Sequence, residues 1–277
     1  VKNEWTASEK EWPEPEDLQL IASVREPRQP VTPRGRPWTQ HTYQQVCYVP
    51  ERHAFFMVGR GHTWEFSPEK MDWTCLAGPA SKDKKASPQY QGSQSVHLLY
   101  DPRLKAPVAV TTTAPFGIFV YDYTRMEWTR RKDAPMRWDE LYSTCISTSG
   151  LHLVSGMKTG LWLFDAPKEE WKPLEKYPEA LKGCRALAHD PANDVVLAMT
   201  KPAGEKQLAL WVMDVKTLTW TEQKPVNAGP SSADLWAPLW YDPDRQVFLY
   251  LSYDGRGAEY VGGETTTWAY RYRKEKK

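Results

Sequence analysis

Leu161-Trp162-Leu163-Phe164-Asp165-Ala166-Pro167-Lys168-Glu169-Glu170-Trp171 reads as two strands with a turn between them. The opening residues are aromatic and aliphatic, Asp165 starts a short polar stretch, and Trp171 opens a second segment. Successive side chains of a strand point to opposite faces, so such a run buries one face or both. Asp followed by Pro and charged residues is turn chemistry. The stretch therefore predicts a β-hairpin. The same pattern returns at Thr63-Trp64-Glu65-Phe66-Ser67 to Trp73, at Ile118-Phe119-Val120-Tyr121-Asp122 to Trp128, and at Leu210-Trp211-Val212-Met213-Asp214 to Trp220. In all four copies the first aromatic residue and the closing Trp are nine residues apart.

A second signature precedes each hairpin. Tyr100-Asp101-Pro102, His189-Asp190-Pro191, Tyr241-Asp242-Pro243 and the weaker Tyr48-Val49-Pro50 each end one apolar segment, and another follows a few polar residues later. Ala54–Val58, Val195–Met199 and Val247–Leu251 are such followers. The repeating unit is thus four antiparallel strands, which is one blade of a β-propeller. The fifth unit runs from Leu239 to Tyr272 and lacks a closing Trp strand. Glu4-Trp5-Thr6 matches Glu127-Trp128-Thr129 and Thr219-Trp220-Thr221, so the N-terminal strand is expected to complete the last blade and remove two open sheet edges.

The expected fold is all-β: one propeller domain over residues 1–277, with five four-stranded antiparallel blades. Residues 1–10 form the closing strand, and 11–40 a Pro/Arg-rich connecting arm with one strand-like stretch, Leu18 to Val24. The blades fall at about 41–80, 94–135, 141–178, 183–226 and 236–277. A truncated product of a six- or seven-bladed parent is the alternative.

Composition narrows the function classes. The chain carries 36 Lys+Arg against 35 Asp+Glu. That near-neutrality opposes a nucleic-acid surface and offers no polybasic handle for anionic lipid. No apolar run approaches the roughly 20 residues of a membrane span. Fourteen Trp and fourteen Tyr can fill a large core, while 23 Pro oppose long helices. Cys47, Cys75, Cys145 and Cys184 form no CxxC pair, so buried free thiols are expected, a Cys145–Cys184 disulfide being the minority reading. The start at Val1 fits removal of an export signal, hence a secreted or periplasmic protein, and fits a trimmed chain equally.

The order Tyr-Asp-Pro, apolar strand, aromatic-x-aromatic-Asp, then Trp resembles the Kelch and galactose-oxidase-like propeller repeats. The sequence departs from them where a Gly pair usually ends the second strand, showing Gly59-Arg60-Gly61, Thr111-Thr112-Thr113 and Gly156-Met157 instead. The resemblance implies ligand sites around the central channel, on loops that lead into each innermost strand or join the second and third strands. It directs attention to Arg36, Trp38, His41 and Tyr43 in blade one, to Gln94 and His97 in blade two, and to Lys182 and Arg185 in blade four. Trp138-Asp139-Glu140-Leu141-Tyr142 and Ala233-Asp234-Leu235-Trp236 resemble each other, pairing Glu140 with Asp234 and Tyr142 with Trp236.

Rings flanked by carboxylates and Arg suit sugar recognition. The same residues equally suit packing between blades and rim ion pairs. The function expected is a non-enzymatic ligand-binding or protein-interaction module, its partner a protein or a glycan, alone or within a larger assembly. The alternative is a carbohydrate-active enzyme: a hydrolase using Glu140 and Asp234, or a lyase using His41, Tyr43 and Arg36. Six histidines without HxH or HExxH spacing predict no metal, and the lack of phosphate-loop motifs predicts no cofactor. His189 is expected to pack, and His53 and His152, at hairpin turns, to be exposed. The tail Arg271 to Lys277 reads as a solvated end. The Pro- and Arg-rich stretch from Arg25 to Pro37 reads as an extended arm around the ring or over one face, and as a candidate partner-binding element.

Overall fold

The structure, a computed structural model, describes residues 31, 35–37, 44–59, 62–77, 96–111, 117–134, 141–156, 160–182, 184, 186–201, 208–227, 229–230, 238–253 and 265–273. Each sheet is a meander of sequential antiparallel strands. Blade one holds β1 (Val46–Val49), β2 (Ala54–Gly59), β3 (His62–Ser67) and β4 (Asp72–Ala77). Blade two holds β5 (Val96–Asp101), β6 (Ala106–Thr111), β7 (Gly117–Asp122) and β8 (Glu127–Asp133). Blade three holds β9 (Leu141–Ile146), β10 (Leu151–Gly156), β11 (Gly160–Asp165) and β12 (Glu170–Pro173). Blade four holds β13 (Ala186–Asp190), β14 (Val195–Thr200), β15 (Ala209–Asp214) and β16 (Thr219–Gln223). Blade five holds β17 (Leu239–Asp242), β18 (Val247–Tyr253) and β19 (Thr265–Tyr270). The first strands are the innermost and neighbour one another in chain order: β5 packs between β1 and β9, and β13 between β9 and β17. The molecule is a five-bladed β-propeller. Among the described residues no helix is long and apolar enough to cross a membrane.

The repeat motif works through its turns. Asp101 Oδ1 accepts the amides of Arg103 and Leu104 at 2.9 and 3.2 Å, and Asp190 Oδ1 those of Ala192 and Asn193 at 2.8 and 3.2 Å. In the second hairpin of a blade Asp122 takes Thr124 and Arg125, and Asp214 takes Lys216 and Thr217. These carboxylates satisfy amides that the ladder leaves unpaired. The residue before each returning strand then adopts the left-handed region: His53, Lys105, Gly150, Asp194 and Gln246 in the first turn, Met71, Met126, Glu169 and Leu218 in the second. One spacing rule builds both hairpins.

Packing occurs between blades. On β14, Val195, Leu197 and Met199 belong to the cluster with Phe248 and Tyr250 of blade five, while Val196 and Ala198 join Leu153 and Leu163 of blade three. A strand buried on both faces reads as an unbroken apolar run, as Val195–Met199 does. The closing Trp of a blade fills the wedge toward the preceding one. Trp128 lies edge-on to Phe56 of blade one at 5.8 Å and donates Nε1–H to Thr63 Oγ1 at 2.9 Å. Trp171 packs on the cluster shared by blades two and three, and Trp220 on that of blades three and four.

Where the Gly pair is missing, Thr111 substitutes: its hydroxyl accepts the Gly117 amide at 3.1 Å across the second and third strands. Gly117 has φ +155°, and a Cβ there would sit 2.3 Å from the Lys132 carbonyl oxygen of β8. Gly117→Ala should cost about 2 kcal/mol or more, read from urea unfolding, because only backbone movement relieves that contact.

The expected ring-closing strand, residues 1–10, lies outside the described residues. The edge of β19 carries no fourth strand among them. On the blade-one face turned away from blade two, Val46, Tyr48 and Phe55 stay about 40% exposed, as does Trp240 of β17. By the register of blade four, where Met213 pairs with Trp220, Trp5 would fall opposite Tyr270. Trp5→Ala is expected to cost roughly 3–5 kcal/mol and lower Tm; an unchanged melting curve would rule the closing strand out.

Candidate functional site

Of the eleven channel-mouth residues expected from sequence, Trp38, His41, Tyr43, Trp138, Glu140, Arg185, Asp234 and Trp236 lie outside the described residues, and Tyr142 is described only as part of β9. The other two sit at opposite edges of their sheets. Arg36 donates Nε–H to Asp72 Oδ1 at 2.9 Å, at the start of the outermost strand of blade one, and is flanked by the bridge between Val31 and Pro37. It fastens residues 35–37 to the outer edge of blade one.

His97 lies on the innermost strand of blade two and is 2% exposed, with Nδ1 3.5 Å from Thr144 Oγ1 of blade three. Burial pushes its imidazole down to about 3, so it is neutral at ordinary pH. Gln45, His97 and Ser143 each stand four residues before the turn position of their blade, and all three are buried. Ser143 Oγ accepts the Leu187 amide at 3.0 Å, and Leu98 donates its amide to Gln44 O at 2.7 Å. At this level the inner strands hydrogen-bond to one another, so His97 faces packed protein.

His152 corrects an expectation. It stands at a hairpin end yet is only 1% exposed, because the turn of blade two packs over it. Its Nε2 lies 3.6 Å from Oδ2 of the wholly buried Asp101, longer than a hydrogen bond, and its ring meets Phe164 edge-on at 5.4 Å. Arg103, 3.8 Å from the same carboxylate, lies against Gly150, where a Cβ would fall 2.6 Å from its Nε. Desolvation pulls the His152 imidazole down against the raising effect of Asp101. Burial pushes the Asp101 carboxyl up, but His152 and two amide donors outweigh it and leave it below the ordinary value. The cluster joins blades two and three. Its sequence signal, an Asp in a Tyr-Asp-Pro turn, carried no hint of the partner.

All four cysteines are free thiols. Cys145 and Cys184 are buried in the cluster between blades three and four, as expected, but Cys75 is exposed.

A concavity among the described residues lies between the same two blades. It is a groove of about 880 Å³, lined by the Lys172–Pro178 segment that leaves the outer strand of blade three and by Thr217–Trp220 at the second hairpin of blade four. That size falls within the usual range of ligand sites. Leu174 and Leu218 form apolar walls, and the rings of Tyr177 and Trp220 are half-buried. Tyr177 packs so closely on Gly160 that a Cβ there would lie 2.2 Å from its hydroxyl. Gly160 has φ +73°, so glycine is required twice over. Lys172 and Lys176 stand exposed at the rim. Sequence reasoning missed this groove. The only available signals were the closing Trp220 and the Pro-flanked 173–178 connection.

No family model and no curated protein matches the chain. Among solved structures it is similar to a chain of Kuenenia stuttgartiensis hydrazine synthase, at TM-score 0.53 and 13% identity, covering 79% of this chain and 58% of that one. It is similar also to a chain described as the extracellular domain of a hybrid two-component system from B. thetaiotaomicron, at TM-score 0.52 and 9% identity, covering 85% of this chain and 31% of that one. This chain therefore spans less than two thirds of either. Likeness at such identity concerns the fold, and the Kelch reading remains a resemblance of repeat motifs.

The buried imidazoles have a measurable consequence. An unfolded His takes up a proton near pH 6.5, whereas His97 and His152 do so only at lower pH. Between those values the unfolded state binds more protons, so stability falls as pH drops below about 6.5, by ~1.4 kcal/mol per pH unit for each imidazole held neutral. Asp101 acts in the same direction further down, its contribution being lost as pH falls through the carboxylate range. Urea titrations between about pH 7 and pH 5 should show this slope. His97→Gln, which places the blade-one residue type at the equivalent position, should make it shallower.

Proposed function

We propose that this propeller is a non-enzymatic interaction module, acting alone or as one subunit of a larger assembly, that holds a ligand or partner in the groove between blades three and four. The groove itself carries the reading. It is a large concave surface with aromatic, aliphatic and cationic lining, set between two blades whose shared core is otherwise closed. Both walls stand on the rigid scaffold: Leu174 donates its amide to Leu161 O at 2.9 Å, and Leu218 its amide to Asp214 O at 2.8 Å. Preformed walls reduce the ordering cost of binding. The enzyme alternative rests on Glu140, Asp234, His41 and Tyr43, all outside the described residues, and His97 does not serve it because its buried, neutral ring meets a Thr hydroxyl.

The test pairs binding with turnover. A glycan array and a tiled peptide array are probed with the wild-type protein and with Thr219→Trp, which plugs the groove from an exposed strand position. Polysaccharide cleavage is followed in parallel for wild type, Glu140→Gln and Asp234→Asn. Binding that Thr219→Trp weakens at least ~10-fold, about 1.4 kcal/mol, without changing Tm is the expected result. Binding untouched by the plug would overturn the site, and cleavage abolished by either carboxylate variant would hand the function to the enzyme reading.

A further inference from the structure

We infer that the occupant of this groove is an extended, acidic peptide segment of a partner protein, anchored by a bulky apolar side chain; the inference rests on the groove being the binding site. Charge supplies the first argument. Cations elsewhere at the edge of blade three have carboxylate partners: Lys168 with Asp165 at 2.6 Å, Lys182 with Glu179 at 3.6 Å, and Arg131 of blade two with Glu169 at 2.9 Å. Lys172 and Lys176, at the rim, make no ion pair within 4 Å among the described residues, Lys172 acting on Asp165 only from a distance, and Glu175 is the only acidic side chain in the lining. The chain as a whole is nearly neutral, whereas the groove lining carries two lysines against one carboxylate. Two exposed ammonium groups beside one carboxylate favour an anionic partner and speed its encounter.

Lining chemistry then separates a peptide from an acidic glycan. A sugar requires planar, bidentate groups that accept and donate to neighbouring hydroxyls. The lining contains no Arg, Asn, Gln or Asp, and its hydroxyls are partly engaged with each other: Thr217 and Thr219 share a hydrogen bond of 2.6 Å. What it does offer is Leu218 beside the half-buried Tyr177 and Trp220 rings, backed by the buried Leu163 and Leu174, which suits Leu, Ile or Phe side chains. Such an aromatic and aliphatic floor with a cationic rim follows the anatomy of a protein interface, an apolar centre inside a polar border.

The probe is a displayed library of random 12-residue peptides selected on the wild-type protein, with soluble polygalacturonate as the glycan arm. Selected peptides are expected to be net acidic with at least one bulky apolar residue. Their affinity should fall with added salt and drop roughly tenfold in the Lys172→Glu/Lys176→Glu variant, as two screened charge pairs would give. Both lysines are exposed, so the variant should keep the wild-type Tm. Neutral or basic selected peptides, acidic peptides indifferent to the charge reversal, no selected peptide at all, or polygalacturonate binding in their place would each overturn the inference. Thr219→Trp separates the two levels: if it blocks neutral peptides or the glycan, the groove stands and its acidic-peptide occupant falls, whereas if it blocks no probe, both fall.

Discussion

A blade cannot bury itself. Each sheet has two apolar faces, and the strand β14, buried along its whole length, is covered only because blade three lies on one side and blade five on the other. Flat sheets radiating from an axis leave wedge-shaped gaps that widen outward. The closing Trp is placed to fill them, since it stands on the outermost strand, where the gap is broadest. At the interface of blades one and two the filling is complete: Phe56, Tyr121 and Trp128 interlock at 4.9 to 5.8 Å, and the Trp128 indole satisfies its donor on Thr63. Aromatic contacts of this kind contribute beyond their buried area.

The wedge between blades three and four is filled by different side chains. Met213 occupies the position on its third strand where blades two and three carry Tyr121 and Phe164. The surrounding cluster is aliphatic, with Leu153, Leu163, Val196 and two Cys thiols. Trp220 is half-buried, as Trp171 is, whereas Trp128 is nearly enclosed. The connection after Pro173, held by Tyr177 on Gly160, then forms the facing wall. The Pro-bounded connection and the second hairpin of blade four together create the concave surface on which the proposed function rests.

Polar groups inside the ring follow a related economy. Turn carboxylates such as Asp101 and Asp190 are first of all backbone acceptors; the second oxygen of Asp190 accepts Asn193 Nδ2–H at 2.7 Å within its own turn, and that of Asp101 faces the neighbouring blade. For Asp101 that neighbour is His152, held neutral by its surroundings. His97 is held neutral in the same way at the inner strands. Both histidines are structural parts of the ring.

Strand order, blade number and turn positions were legible in the residues because each is local: an aromatic-to-Trp spacing of nine spans one hairpin, and an Asp caps amides two and three residues away. Burial of a face likewise shows in a run such as Val195–Met199. Which residues meet across a wedge was not legible. His152 looked like a turn residue because its cover, Asp101, comes from another blade. Arg36 looked like a channel residue, but its partner Asp72 is on an outer strand. Lys176 and Trp220 are separated by about one blade's worth of chain and share no motif, so their groove arises only when two sheets are set side by side. Hairpins are specified by neighbours in sequence, whereas sites between blades depend on the volumes of side chains contributed by separate sheets, and that is settled by packing in three dimensions.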